Sequence, residues 1–118
     1  MTAKDGKSEC ALVTGASGGI GLEFAHILAE KGFDLVLLAR SAGKLQEIAN
    51  ELKTKYGTKV TVVPADLGNP NTPQAVFDTL TNANIQVDLL VNNAGLLFED
   101  RFNAISLDDT TQLLRVNI

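Results

Sequence analysis

Cysteine and histidine are nearly missing from this 118-residue sequence, which has one of each. A lone Cys10 leaves no internal disulfide and no multi-cysteine metal site, and His26 alone argues against a zinc centre, so no metal is expected. Positive charge is also short: ten Lys and Arg stand against fourteen Asp and Glu, a formal net charge of −4. Without a basic stripe, a nucleic-acid surface is not expected. Long apolar runs are absent too. The longest, at 35–39, falls far short of the roughly 20 residues of a membrane span, so no membrane partner is expected. The first ten residues are mostly polar, which argues against a secretory leader. Together these features predict a reducing, cytoplasmic setting.

What is present is the composition of an ordinary globular domain, 45% hydrophobic and 20% charged. No repeat, low-complexity segment or linker divides it, so residues 1–118 read as one unit with residues 1–8 flexible. Short apolar runs alternate with longer amphipathic stretches. Ala11 to Thr14, Leu35 to Ala39, Val60 to Val63 and Val87 to Val91 predict four strands, the second buried on both faces. Ile20, Phe24, Ile27 and Leu28 fall at helical spacing, with Gly32 placed to end that helix. Leu45, Ile48, Ala49, Leu52 and Tyr56 give a second helix, stopped by Gly57. Thr72 then Pro73 read as an N-cap and a first-turn proline, opening a helix that carries Val76, Phe77 and Leu80. Ser106 with Asp109 reads as a capping box for a last helix, inside which the sequence stops.

The alternation of strands and helices, with strand runs lacking polar alternation, predicts an α/β fold. Its core is a doubly wound parallel sheet of Rossmann type, strand order 3-2-1-4. A full dinucleotide fold has two such halves. This sequence holds one half, a further strand and part of a helix, so the domain reads as truncated, C-terminally incomplete. The fourth strand is then an open apolar edge, prone to pair with another chain.

Thr14-Gly15-Ala16-Ser17-Gly18-Gly19-Ile20-Gly21 joins the first strand to the first helix. Glycines there allow a tight turn and close approach of a pyrophosphate, and the helix start supplies free N–H groups and a positive dipole end. No Gly-Lys-Ser/Thr follows, which argues against an NTPase phosphate loop. Past the third strand stands Asp66-Leu67, after the fourth Asn92-Asn93-Ala94-Gly95, and in the last segment Arg115-Val116-Asn117. These four motifs, in this order, resemble the short-chain dehydrogenase/reductase family across essentially the whole sequence. The match is to its N-terminal, cofactor-binding portion. The resemblance implies that Gly15, Gly19 and Gly21, with Ile20 beside them, hold the cofactor phosphates. It implies that Asp66, next to Leu67, bonds the adenine amino group. Asn92 would fix the sheet beside the adenosine, which Ala94 and Gly95 would line.

The form of nicotinamide cofactor is decided at the end of the second strand. NAD-binding chains place an acid there for the ribose 2′-hydroxyl. Here the residues are Leu38-Ala39-Arg40-Ser41, and Asp34 lies at the opposite strand end. An arginine fork matches phosphate oxygens, and Ser17 and Ser41 can add hydroxyl donors. NADP(H) is therefore the expected cofactor.

The implied reaction is hydride transfer that interconverts a carbonyl and a secondary alcohol on a small-molecule substrate. The family performs it with a tyrosine, a lysine four residues later, a serine and an asparagine. Asn117 matches the asparagine as a catalytic residue. The single tyrosine, Tyr56, has Val60 four residues on, so it is read as a packing residue. The 118 residues alone, lacking Tyr-x-x-x-Lys, are expected to be inactive. The alternative reading is a nucleotide-binding module without chemistry. Family members commonly self-associate through late helices, which implies a homo-oligomer for the complete protein. Cys10 is read as a small buried hydrophobe, His26 as solvated, and Lys44, Glu47, Glu51 and Lys53 as an exposed helix face.

Overall fold

An apolar run can bury every side chain only in a strand covered on both faces. The second strand of the fold, β2 (Asp34–Ala39), meets that condition. Leu35, Leu37 and Ala39 join one hydrophobic cluster, while Val36 and Leu38 join another across the sheet. The computed structural model describes residues 8–66, 69–93, 102–106 and 112–116. In chain order these form β1 (Cys10–Thr14), α1 (Gly19–Glu30), β2, α2 (Ala42–Tyr56), β3 (Val60–Pro64), α3 (Thr72–Asn82), β4 (Leu89–Asn92), β5 (Phe102–Ser106) and β6 (Gln112–Val116). The first four strands are parallel, in the order β3-β2-β1-β4. Helices α1 and α2 cover one face through Ala25, Leu28, Leu45, Ile48 and Leu52. On the other face, Val76 and Leu80 of α3 pack against Leu12 and Leu90. This is the doubly wound Rossmann-type sheet that the sequence predicts. Among the described residues no helix is long and apolar enough to cross a membrane.

The expected last helix is not formed. Residues 112–116 are instead a strand antiparallel to β4, with Leu89 opposite Arg115 and Asn92 opposite Gln112. Residues 102–106 pair antiparallel with that strand in turn. The expected open edge at β4 is therefore covered, by β6. A capping box is a local signal worth about 1 kcal/mol. The edge of β4 offers a whole row of backbone donors and acceptors, and pairing with them outweighs the cap.

Two helix starts and faces also differ from expectation. The buried stripe of α1 is Gly21, Ala25, Leu28 and Ala29, not the stripe through Ile20 and Ile27. Those two isoleucines are 42% and 47% exposed. Glycine and alanine carry little hydrophobic weight in a sequence pattern, yet their small size lets the helix lie close on the sheet. The N-cap of α3 is Asn71, one residue before Thr72. Thr72 is the first residue of the helix, and its hydroxyl is turned back to donate to the Asp66 carbonyl.

Helix ends follow the glycines. Gly57 ends α2 in the left-handed region at φ 70°. Beyond α1, the Gly32 N–H donates to the Ala29 carbonyl and the Phe33 N–H to the Leu28 carbonyl. That is a Schellman motif, with Phe33 and Leu28 both buried in the same cluster.

Candidate functional site

Winding reverses between β1 and β4, because α1 and α2 lie on one face and α3 on the other. In open α/β sheets, ligands bind beyond the carboxyl ends of the strands at such a reversal. Thr14 ends β1 there and is fully buried. Its hydroxyl accepts the Asn93 N–H at 2.8 Å and lies 3.4 Å from both the Val91 carbonyl and Asn92 Oδ1. This one side chain thus ties the glycine-rich turn to the Asn92-Asn93 string, 78 residues away in sequence.

The turn itself is fixed by close approach. A Cβ on Gly21 would lie 2.3 Å from the Gly15 carbonyl oxygen and 3.1 Å from that of Thr14. Only glycine lets α1 begin so near the end of β1. Gly15 has φ 63°, and a Cβ there would meet Asn93 Nδ2 at 3.2 Å. Gly19 has φ 59° with open space around its Cβ position. The Ala16 N–H donates to the Leu38 carbonyl at 3.3 Å, bracing the turn against β2.

Helices α1 and α2 both start at this end. Their N-cap residues, Gly18 and Ser41, make no side-chain capping bond, and neither helix has an acid in its first turn. The first amides of each helix are free of side-chain partners, and the dipole ends are positive. Ser17 is half-buried in the turn; Gly19 and Ile20 are exposed beside it. Arg40 and Ser41 are exposed just beyond the carboxyl end of β2, while Ala39 is buried. Asp66 is exposed past β3, and its carbonyl accepts the Thr72 hydroxyl and the Asn69 N–H. Asn92 is buried at the end of β4. The structure therefore gathers Gly15, Ser17, Gly19, Ile20, Gly21, Arg40, Ser41, Asp66 and Asn92 at one end of the sheet. Leu67, Ala94, Gly95 and Asn117 lie outside the described residues. The donors assembled are amides, hydroxyls and a guanidinium around a glycine-rich turn in which Gly21 admits no Cβ. They fit a phosphorylated dinucleotide.

Three sequence candidates stand elsewhere. Cys10 is buried at the amino end of β1, and burial, with the negative charges of Asp34 and Asp88, pushes its thiol from 9.0 up to about 12. It stays protonated at neutral pH and is no nucleophile. Tyr56 ends α2, and its hydroxyl lies 3.2 Å from His26 Nδ1, the rings meeting edge to face at 5.9 Å. His26 is therefore half-buried between α1 and α2 rather than solvated. Sequence reasoning assigned no role to Thr14 or Asn93, although both stand inside the quoted motifs. Lys44 is exposed, as expected, and its ammonium lies 4.0 Å from the position a Cβ on Gly18 would take. That proximity arises from two loops brought together, which no local pattern encodes.

A family model described as short chain dehydrogenase matches residues 9–118. The chain is 43% identical over 93 residues to a very-long-chain 3-oxoacyl-CoA reductase from Debaryomyces hansenii, covering 79% of the chain and 26% of that protein. It is 34% identical over 120 residues to an NADP-dependent 3-hydroxy acid dehydrogenase from Schizosaccharomyces pombe, covering 100% of the chain and 46% of that protein. Its fold is similar to that of an L-sorbose reductase from Gluconobacter frateurii, solved with NADPH and L-sorbose. The TM-score is 0.70 at 35% identity, over 85% of the chain and 36% of that protein. The chain thus spans between a quarter and a half of the length of these relatives.

Proposed function

The chain belongs to the short-chain dehydrogenase/reductase family, and from that premise we propose that it forms the NADP(H)-binding part of an oxidoreductase. The reaction we assign is interconversion of a carbonyl and a secondary alcohol on a small molecule. When bound, the nicotinamide supplies or accepts the hydride. The chain's own residues bind and orient. Gly15, Gly19 and Gly21 let phosphates approach the start of α1, and Asp66 with Leu67 receives the adenine. Asn92, Ala94 and Gly95 form the wall beside the adenosine, and Ile20 covers the turn. Asn117 is the one catalytic residue we place within these 118 positions. We also propose a reducing, cytoplasmic setting and self-association of the complete protein.

The observation that carries the NADP(H) reading is Arg40 at the carboxyl end of β2, next to buried Ala39 and beside Ser41. No acid stands where a ribose 2′-hydroxyl would need one, and an arginine fork suits a phosphate. A second reading, binding without chemistry by the 118 residues alone, is favoured by Tyr56. It is engaged with His26 at the far end of α2, away from the glycine-rich turn.

Fluorescence titration with NADPH and NADH tests the assignment. NADPH is expected to bind more tightly, and Arg40→Asp to remove about 1.5–3 kcal/mol of that preference. Equal wild-type affinities, or a variant that still prefers NADPH, would defeat it. NADPH absorbance followed over ketones and aldehydes should show no turnover by the 118 residues.

A further inference from the structure

Lys44 occupies the first turn of α2, which starts at Ala42. Its ammonium does not extend away from the protein along the helix face. It reaches across to the glycine-rich turn, where the Nζ lies 4.0 Å from the position a Cβ on Gly18 would take. The side chain therefore spans the gap between the β2–α2 turn, which carries Arg40 and Ser41, and the β1–α1 turn, which carries Ser17 and Gly18.

Two cations now bracket the start of α2, with no acid in the first turn of either helix. A cation at a helix N-terminus opposes the dipole, so this arrangement is locally unfavourable in the free protein. Local rules are broken in this way where a site is built for a partner. An anion held between Arg40 and Lys44 removes the conflict.

Charge counting identifies the anion. A phosphate monoester carries about −1.5 to −2 near pH 7. Arg40 supplies one positive charge, and the hydroxyls of Ser17 and Ser41 supply none. We propose that Lys44 is a second cation, beside Arg40, for the cofactor's ribose 2′-phosphate. Lys44 thereby helps to decide NADP(H) over NAD(H). This inference rests on the NADP(H) reading above and adds the residue that completes charge neutralisation at that phosphate.

Calorimetric titration of the full chain with adenosine 2′,5′-bisphosphate and with adenosine 5′-monophosphate isolates the 2′-phosphate from any turnover. Lys44→Met is expected to weaken the bisphosphate roughly fivefold at pH 7.5, as loss of one exposed charge contact should. Its affinity for the monophosphate should not change. Lys44→Arg should restore the bisphosphate. The effect of Lys44→Met should shrink at pH 5.5 and in high salt, because the phosphate loses charge below about pH 6 and exposed charges are screened. A purely structural role for the lysine would move neither dependence. Unchanged bisphosphate affinity in Lys44→Met, with loss in Arg40→Met, would overturn the role of Lys44 and leave the NADP(H) reading standing. Equal weakening of both probes by Lys44→Met would also overturn it. Equal wild-type affinity for the two probes would remove the 2′-phosphate reading itself, and Lys44 with it.

Discussion

The two ends of the parallel sheet are built on opposite terms. At the amino end, polar groups are satisfied within the protein. Asp88 accepts the Cys10 N–H at 2.9 Å and returns its own N–H to the Cys10 carbonyl at 2.8 Å. Asp34 accepts from the Lys59 N–H and from the Thr58 hydroxyl, and its own N–H donates to the Glu9 carbonyl. The carboxylates of Asp34 and Asp88 are thus committed to backbone and hydroxyl donors of the fold itself. At the carboxyl end, the N-caps of α1 and α2 make no side-chain bond and neither helix has an acid in its first turn. Gly21 is held where no Cβ fits, and Gly15 and Gly19 have positive φ. One end spends its polar groups on the fold. At the other, Thr14 is engaged with Asn92 and Asn93, while the N-caps of α1 and α2 leave the first helix amides without a capping side chain.

The largest test of this contrast is Gly21→Ala. Its Cβ would collide with backbone that cannot swing aside, so overpacking should cost about 3 kcal/mol in urea denaturation. Cofactor affinity should fall with it, since α1 would be pushed off β1. A variant with unchanged midpoint and affinity would show that the close approach is not needed.

Asp88→Ala addresses the closed end. It leaves the buried Cys10 N–H without its acceptor and should lower stability by about 2 kcal/mol. Cofactor affinity, measured on the folded variant, should not change. A matching loss of affinity would show that the two ends are coupled through the strands.

The smallest effect concerns Cys10 at alkaline pH. Its folded pKa, about 12, lies above the ordinary 9.0. The stabilising protonation is fully present below pH 9 and is lost as pH rises from there towards 12. By pH 10 the unfolded state has gained about 1.4 kcal/mol relative to the folded one. Cys10→Ala should remove that increment from the pH dependence of unfolding. Parallel curves for the two proteins would place the thiol in a wetter setting than the structure gives it.

How far the sequence foretold these features depends on the range of the forces involved. The four parallel strands were readable because 35–39 is apolar throughout and the other short runs lack a polar alternation. The cradle was readable because a glycine string stood between a strand and a helix. What failed was nonlocal. Ser106 and Asp109 carry a local helix signal, but β4 presents an edge that only the folded sheet creates. Ile20 and Ile27 dominate the apolar pattern of α1, yet Gly21 and Ala25 face the sheet because closeness matters there more than bulk. His26 finds Tyr56 thirty residues away.

The bare starts of α1 and α2 carry a thermodynamic consequence. Each missing capping bond leaves the free protein short of some stability, a few tenths of a kcal/mol at Gly18 and roughly 1 kcal/mol at Ser41. An anion that occupies those amides supplies what the caps do not, and it does so only in the folded state. Binding and folding are then linked: at a ligand concentration one hundred times its Kd, the native state gains about 2.7 kcal/mol. The protein is accordingly least resistant to heat and proteolysis when empty, and its persistence in a cell would follow the supply of the molecule it holds.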